Sequence, residues 1–216
     1  MNWALRTLGT SIGKKQVMAV TGILFLLFLA VHLAGNLTIY WGPPAFNSYS
    51  EHLHALGPLL TAAEVGLVLC ALIHIFTAII LFVENRKARP IKYAVDKSGG
   101  GGRTISSRTM PYTGLLILIF VAVHLSTVSR FFVERAETTI FEVITRVFSS
   151  PVYIAFYTTA MVIVAFHVRH GLWSAFQTVG ANHPKYMPLV EKASIVFAVV
   201  VGVGFGTLPI AISLMR

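Results

Sequence analysis

The sequence predicts an all-α integral membrane protein with five transmembrane helices, four of them in a bundle and the fifth peripheral. Of its 216 residues 56% are hydrophobic and only 12% are charged, whereas an ordinary soluble domain has about 25% charged residues. The charges fall in short segments that separate long apolar runs. Part of the first run recurs later in the chain. A bilayer needs about 20 residues of helix to cross its hydrocarbon, which these runs supply.

Five apolar segments are long enough to cross a bilayer with some tilt. They comprise residues 17–39, 58–83, 111–132, 151–176 and 193–214. The first follows Lys14 and Lys15 as a signal peptide would, but it is too long and has no convincing cleavage site. It is therefore predicted to be a retained helix, and residues 1–216 a single transmembrane domain.

The net charge of +9 is carried by the connections between apolar segments, which favours contact with membrane lipid over nucleic acid. Lys and Arg are frequent before the first segment and in the second connection, residues 84–110, and absent from the first connection, residues 40–57. The positive-inside rule then places the N-terminus in the cytoplasm and the C-terminus, after five spans, outside.

Two local features exclude other kinds of site. The glycine run within residues 96–103 lacks the ending of a phosphate-binding loop and is predicted to be a flexible basic linker. The lone Cys70 excludes an intrachain disulfide, a cysteine-rich metal site and the two-cysteine attachment of a c-type haem.

An internal repeat divides the chain. Residues 21–33 (TGILFLLFLAVHL) and 113–125 (TGLLILIFVAVHL) are identical at nine of 13 positions, at an offset of 92 residues. The same offset brings His74 to within one residue of His167. The chain is therefore interpreted as two similar helix pairs followed by a fifth helix.

Each of the first four helices carries one histidine of this repeat: His32, His74, His124 and His167. An imidazole in hydrocarbon is costly without a partner, so all four are candidate functional residues. Alternate helices of an up-down bundle stand diagonally. His32 is thus expected to face His124, and His74 to face His167, at levels about 10 Å apart.

Two separated pairs of imidazoles favour two haems, each with two axial histidines. Zinc or non-haem iron needs three or four converging ligands, usually with a carboxylate, whereas a bis-histidine haem needs two imidazoles and an apolar slot. Gly22 and Gly114 lie ten residues before His32 and His124. They could admit the edge of the inner macrocycle, although helix packing explains membrane glycines equally well.

This pattern resembles the di-haem cytochrome b membrane anchor of succinate:menaquinone oxidoreductases and quinol:fumarate reductases, in its single-chain, five-helix form. The resemblance covers essentially the whole chain. Its carriers are the Val-His-Leu segments at 31–33 and 123–125, Ile73-His74, Phe166-His167 and the stretch 171–177. It implies two b haems, the proximal one on His74 and His167 and the distal one on His32 and His124.

The resemblance also implies the surroundings of the chain. A flavoprotein subunit would interconvert succinate and fumarate, and an iron–sulfur subunit would connect it to this anchor at the cytoplasmic face of a bacterial cytoplasmic membrane. Menaquinone, or another quinone, would be the substrate in the membrane. The chain has no dicarboxylate site of its own, so it is expected to be the quinone-reactive subunit of an oxidoreductase complex.

Proton exchange with a quinone requires an acid or base at the membrane edge. Glu64, early in the second helix, is one candidate, and Glu51 and His52, with His54, in the first connection are others. Each has an ordinary alternative. Glu64 could be a protonated acid bonded to a neighbouring helix, and the connection residues could simply be solvated.

One further membrane histidine, His170, lies one helical turn beyond His167. The repeat favours His167 as the ligand, and His170 is expected to contact a haem propionate or to reach water. Two other functions stay open: a di-haem quinone cytochrome of the formate dehydrogenase, hydrogenase or nitrate reductase type, and a haem-free proton-coupled transporter with a histidine relay.

Overall fold

A computed structural model describes residues 3–88, 105–133 and 138–215, and the predicted linker at 96–103 lies outside them. The described chain confirms the all-α membrane fold, because five of its helices are long and apolar enough to cross a membrane. These five are α2 (Ser11–Leu37), α4 (Pro58–Lys87), α5 (Ile105–Val128), α7 (Pro151–Thr178) and α8 (Met187–Leu214). The shorter helices are α1 (Trp3–Gly9), α3 (Pro43–His54) and α6 (Ile140–Val147).

Glycine–proline steps begin two of these helices. Gly42 and Gly57 have φ values of 99° and 55°, a backbone region open to glycine at little cost. The proline that follows each one occupies the first turn of α3 or α4, where its missing N–H has no helical partner to lose. Sharp connections between the helices result.

The third span differs from its predicted limits of 111–132. Helix α5 begins at Ile105, so Pro111 lies inside it, and polar residues continue the helix beyond the apolar run. At the other end the carbonyl of Ser129 accepts hydrogen bonds from the N–H groups of Phe132 and Val133, at 3.0 and 2.9 Å. These bonds turn the chain, and the helix ends at Val128. Hydropathy alone predicts neither the earlier start of α5 nor its earlier end.

The spanning helices pack as the predicted bundle. Helix α2 contacts α4 on one side and α7 on the other, and α5 packs against α7. In the described part of the chain α2 and α5 are not closely packed neighbours, and neither are α4 and α7. Helices α4 and α5 are not closely packed in this part of the chain either, so the bundle is open between them. The packing order α4–α2–α7–α5 still leaves α2 and α5, and α4 and α7, as non-adjacent helices. Helix α8 packs outside the bundle against α7 and α2, as the predicted peripheral helix.

Helices α3 and α6 cover one end of the bundle, which is called the capped end here. The Phe141 N–H of α6 donates to Oδ1 of Asn47 in α3, at 3.1 Å. Phe46 of α3 and Ile144 of α6 are buried in one apolar cluster with Leu208 of α8. A search of the sequence for membrane spans predicts neither α3 nor α6.

The opposite end is called the basic end. It contains the start of α2 and the end of α4, where Arg86 and Lys87 lie in the last helical turn. Lys14 of α2 forms an ion pair with Glu84 of α4. This pair fastens two adjacent helices at that end.

Small residues allow α7 and α8 to approach closely. A Cβ placed on Gly202 of α8 would lie 2.9 Å from the Cβ of Ala165 in α7, a distance that real structures do not show. On the same face of α8, a Cβ on Gly206 would lie 3.6 Å from the Cβ of Met161, an ordinary contact. The close approach of the two helices therefore requires a glycine at position 202 but not at position 206.

We therefore expect Gly202→Ala to lower the unfolding temperature of the purified protein, since overpacking typically costs about 1–3 kcal/mol. Gly206→Ala is the matched control. It should leave the temperature unchanged or raise it slightly, because alanine is the better helix former. If Gly202→Ala were as stable as Gly206→Ala, the close approach of the two helices would be wrong.

Candidate functional site

Two of the four repeat histidines meet towards the capped end. The ring of His32 on α2 lies 6.1 Å from that of His124 on α5, measured between centroids, with the planes at 81°. Each ring stacks on the phenylalanine one turn earlier in its own helix. Phe28 is 5.1 Å from His32, and Phe120 is 5.6 Å from His124. His32 and His124, called the capped-end pair, therefore face each other as the diagonal arrangement predicted.

Aromatic side chains from the other helices surround this pair. Phe205 of α8 is 5.4 Å from His32, and Tyr157 of α7 is 6.0 Å from His124. The Tyr157 hydroxyl is hydrogen-bonded to Oγ1 of Thr127, at 2.6 Å. An apolar, aromatic environment therefore encloses both imidazoles.

The nitrogens of the capped-end pair are poorly satisfied. Nδ2 of Asn36 lies 3.4 Å from Nδ1 of His32, a long contact, and donates a better bond to the His32 carbonyl at 2.8 Å. Nδ1 of His124 is buried and has no hydrogen-bond partner in the described chain. These two rings are therefore held mainly by stacking.

The other two histidines are held by threonines. Nδ1 of His74 on α4 is 2.9 Å from Oγ1 of Thr21 on α2. Nδ1 of His167 on α7 is 3.1 Å from Oγ1 of Thr113 on α5. His74 and His167 are called the basic-end pair. The repeat thus extends to the hydrogen bond that each of these rings makes.

Glycines of the repeat lie against the same two rings. A Cβ on Gly22 would be 3.6 Å from Cε1 of His74, and one on Gly114 would be 3.6 Å from Cε1 of His167. Both glycines therefore face the basic-end pair, the level at which they are predicted to admit a macrocycle.

The two pairs lie at different depths. Thr21 and His32 are eleven residues apart on α2, which is about 16 Å by helix rise. Side chains of a helix lean towards its N-terminus, so the His32 ring lies nearer to the level of Thr21 than its Cα does. The predicted separation of about 10 Å between ring levels remains a prediction.

His170 has a different neighbour from His167. Its ring lies 6.0 Å from the ring of Trp173 in the same helix, and it is half-buried. No hydrogen bond joins it to Thr113 in the described chain, whereas His167 has that bond. His167 is thus the histidine that matches His74.

Glu64 is an ion-paired residue and not a lone acid. Nε of Arg130, just beyond α5, donates to Oε1 of Glu64 at 3.1 Å, and Nη2 of Arg130 donates to its Oε2. The same Nη2 donates to Oγ1 of Thr61, at 2.9 Å. Hydrogen bonding to Glu64 raises the pKa of Arg130 above its ordinary value. The ion pair joins α4 to the end of α5 near the capped end.

The candidates of the first connection lie on helix α3. Glu51 and His52 are exposed, and His54 is half-buried. Nδ1 of His52 donates to the Ser48 carbonyl at 2.7 Å. No hydrogen bond joins these side chains to Glu64 in the described chain, so the structure brings the two sets of candidates to the same end without connecting them.

The four histidines lie as two pairs and not as one cluster. No three His, Cys, Asp or Glu side chains converge on one point within the described ranges. A bare metal ion would need such a group. Two imidazoles on opposite helices instead suit the two faces of a planar macrocycle, which provides the remaining ligands itself.

Sequence reasoning misses the partners of these residues. The repeat identifies Thr21 and Thr113 as its first positions but not as hydrogen-bond partners of histidines. The sequence pattern gives Arg130 no role either. Threonine recurs 53 residues before His74 and 54 residues before His167, and this near-repeat is the signal that could have found the hydrogen bonds.

Comparison with known proteins gives one relationship. No family model and no solved structure matches the chain. The chain is 28% identical over 156 residues to the succinate dehydrogenase cytochrome b558 subunit of Bacillus subtilis (strain 168), and the alignment covers 71% of this chain and 72% of that protein. This similarity to a succinate dehydrogenase cytochrome b subunit confirms the resemblance predicted from the repeated histidines.

Proposed function

We propose that the chain is the membrane-anchor cytochrome b subunit of a succinate dehydrogenase or fumarate reductase complex. It transfers electrons between an iron–sulfur subunit and a membrane quinone, menaquinone by family resemblance, through two b haems. The observation that carries this proposal is the meeting of His32 and His124 from diagonal helices, together with the repeat that relates them to His74 and His167.

The capped-end pair fits an axial metal. A metal bound to one nitrogen of each imidazole at about 2 Å would separate the ring centres by about 6 Å. The observed centroid distance is 6.1 Å. The 81° between the ring planes does not oppose this, since each ring can turn about its own axial bond.

The basic-end pair fits through its hydrogen bonds. Nδ1 is the engaged nitrogen in both His74 and His167, and Nε2 of each has no hydrogen bond in the described chain. Nε2 is thereby available as the ligand atom. Gly22 and Gly114 lie beside these rings, where the edge of a macrocycle would pass.

A haem held by two imidazoles supplies one-electron transfer at an iron with no open position for oxygen. The chain would provide two histidines for each haem, His32 and His124 for one and His74 and His167 for the other, and an apolar surround. Phe28, Phe120 and Phe205 pack against the capped-end pair, and an apolar shell of this kind would help to set the redox potential.

Orientation follows from the basic end. Its Lys and Arg residues favour a cytoplasmic position by the positive-inside rule, and the iron–sulfur subunit would then dock there, near His74 and His167, with the flavoprotein subunit beyond it. The membrane would be a bacterial cytoplasmic membrane. The C-terminus, at the end of α8, would then lie on the outer side.

Quinone is proposed to react near the capped end. Glu64, held by its ion pair with Arg130, is the carboxyl group at that depth, and Glu51 and His52 are exposed on the covering helix. His52 donates through Nδ1 to a backbone carbonyl, so its Nε2 is the nitrogen that can accept a proton. These groups could exchange protons between a quinone and the outer aqueous phase.

The two alternatives receive less support. A succinate dehydrogenase relative favours this complex over the formate dehydrogenase, hydrogenase and nitrate reductase types. No hydrogen bond links one of the four histidines to another in the described chain, and this gives a haem-free histidine relay less support.

The pairing makes a spectroscopic prediction. Replacing His32 or His124 by alanine should remove one b haem, and replacing His74 or His167 should remove the other, because each haem needs both of its axial ligands. The measurement is haem content with a reduced-minus-oxidised spectrum of each purified complex. His170→Ala is the control and should retain both haems.

The pairing would be wrong if His32→Ala and His74→Ala removed the same spectral component. Loss of one haem in His170→Ala, with both haems kept in His167→Ala, would move the ligand by one helical turn.

The quinone site makes a separate prediction. Glu64→Gln should keep both haems but lower succinate:quinone reductase activity by roughly tenfold or more, since positioned acid–base groups contribute about 10²–10⁴-fold. Reduction of a water-soluble dye that takes electrons before the anchor should not change. Both activities are measured on the same membranes.

Glu84→Gln is the matched control, because it breaks the other interhelical ion pair, Lys14–Glu84, at the basic end. It should leave quinone reduction close to the unmodified rate. Unchanged quinone reduction in Glu64→Gln would exclude Glu64 from the proton route.

A further inference from the structure

We propose that Thr21 and Thr113 are positioning residues for the basic-end pair: their hydroxyls hold His74 and His167 in the tautomer that presents Nε2 as the axial ligand. The inference rests on the proposed function, since it concerns how this chain prepares two imidazoles for haem. It assigns a role to two residues outside the ligand set.

The two threonines occupy equivalent and protected positions. Both are buried, with 7% and 9% of their surface exposed, and they are related by the 92-residue offset. Each reaches Nδ1 of a histidine on the adjacent helix, at 2.9 and 3.1 Å. The same hydrogen bond therefore forms twice, between different helices.

A hydroxyl has one proton, and the helix accounts for it. Oγ1 of Thr21 donates to the Val17 carbonyl at 2.8 Å, with the Met18 carbonyl at 3.1 Å. Oγ1 of Thr113 has the Thr109 and Met110 carbonyls at 3.1 Å. Threonine in a helix commonly donates in this way to the preceding turn. Its lone pairs are then left to accept a proton from the imidazole.

The tautomer of each histidine follows. If Oγ1 accepts, Nδ1 carries the imidazole proton and Nε2 carries the lone pair that a metal requires. Histidines that bind metals usually donate the other ring N–H to a fixed acceptor, and this bond orients the ring. Thr21 and Thr113 are the hydroxyl acceptors available for His74 and His167, and the Met18 carbonyl is a second acceptor beside His74 that favours the same tautomer.

In the described chain the capped-end pair has no equivalent hydrogen bond from Nδ1 to a hydroxyl. His32 meets an amide nitrogen at 3.4 Å, which is a donor and does not accept from Nδ1–H. Nδ1 of His124 has no partner among the described residues. Removing the threonine hydroxyls should therefore affect the basic-end haem and leave the capped-end haem unchanged.

The test is the double variant Thr21→Val/Thr113→Val in the intact complex. Valine keeps the shape of threonine and removes the hydroxyl, while the backbone carbonyls retain their helical hydrogen bonds. The measurements are the low-spin haem signals in electron paramagnetic resonance and the haem lost to an excess of apomyoglobin. The basic-end signal is identified as the one missing in His74→Ala.

The proposal predicts that the basic-end signal shifts or weakens and that this haem is lost more readily, by about 10–100-fold in apparent affinity. The capped-end signal should stay in place. Thr21→Ser/Thr113→Ser should restore both properties, because serine keeps the hydroxyl. Thr158→Val is the matched control: it removes another interhelical hydroxyl bond, to the Gly206 carbonyl, and should change neither signal.

Three results would overturn the proposal. Both signals could remain unchanged in the valine variant, both could weaken together, or serine could fail to restore the basic-end signal. The last two would show a general packing role. If the unmodified complex contained no haem, the proposed function would fail first, and that outcome is distinct from these three.

Discussion

Four imidazoles lie between helices in a part of the protein that excludes water, and each needs a partner there. An unpaired polar group in hydrocarbon costs several kcal/mol, so the histidines constrain their neighbours as much as they depend on them. At the basic end, Thr21 is hydrogen-bonded to Nδ1 of His74, and Thr113 to Nδ1 of His167. Stacked aromatic rings enclose His32 and His124 at the capped end. The helix order of the bundle is the one that brings these groups together.

Ion pairs reinforce that order at both membrane edges. Among the described helices, α4 packs closely against α2 alone. Lys14–Glu84 joins α4 to α2 at the basic end, and Glu64–Arg130 joins it to the end of α5 at the capped end. The second of these pairs also places an acid beside the proposed quinone region. Glu64 therefore both joins two helices and has a proposed role in the quinone reaction.

Much of this arrangement could be predicted from the sequence because the chain repeats itself. Residues at equivalent positions must be at similar depth in similar helices, and this alone is sufficient to pair His32 with His124. The threonine partners could not be assigned in this way, since they depend on how two helices are rotated about their axes. The Glu64–Arg130 pair could not be predicted because Arg130 lies just beyond the end of α5. Hydropathy predicts that this helix ends four residues later, and Arg130 would then lie inside it. Helices α3 and α6 are too short and too polar for a search that looks for spans.

The central claim is that these four histidines hold haem, and a haem quantification tests it most directly. The measurement is the ratio of haem to chain in the purified protein, with a dithionite-reduced minus oxidised spectrum. Two b haems per chain are predicted. A protein without haem would contradict the account, and the histidines would then have to be explained as a proton relay.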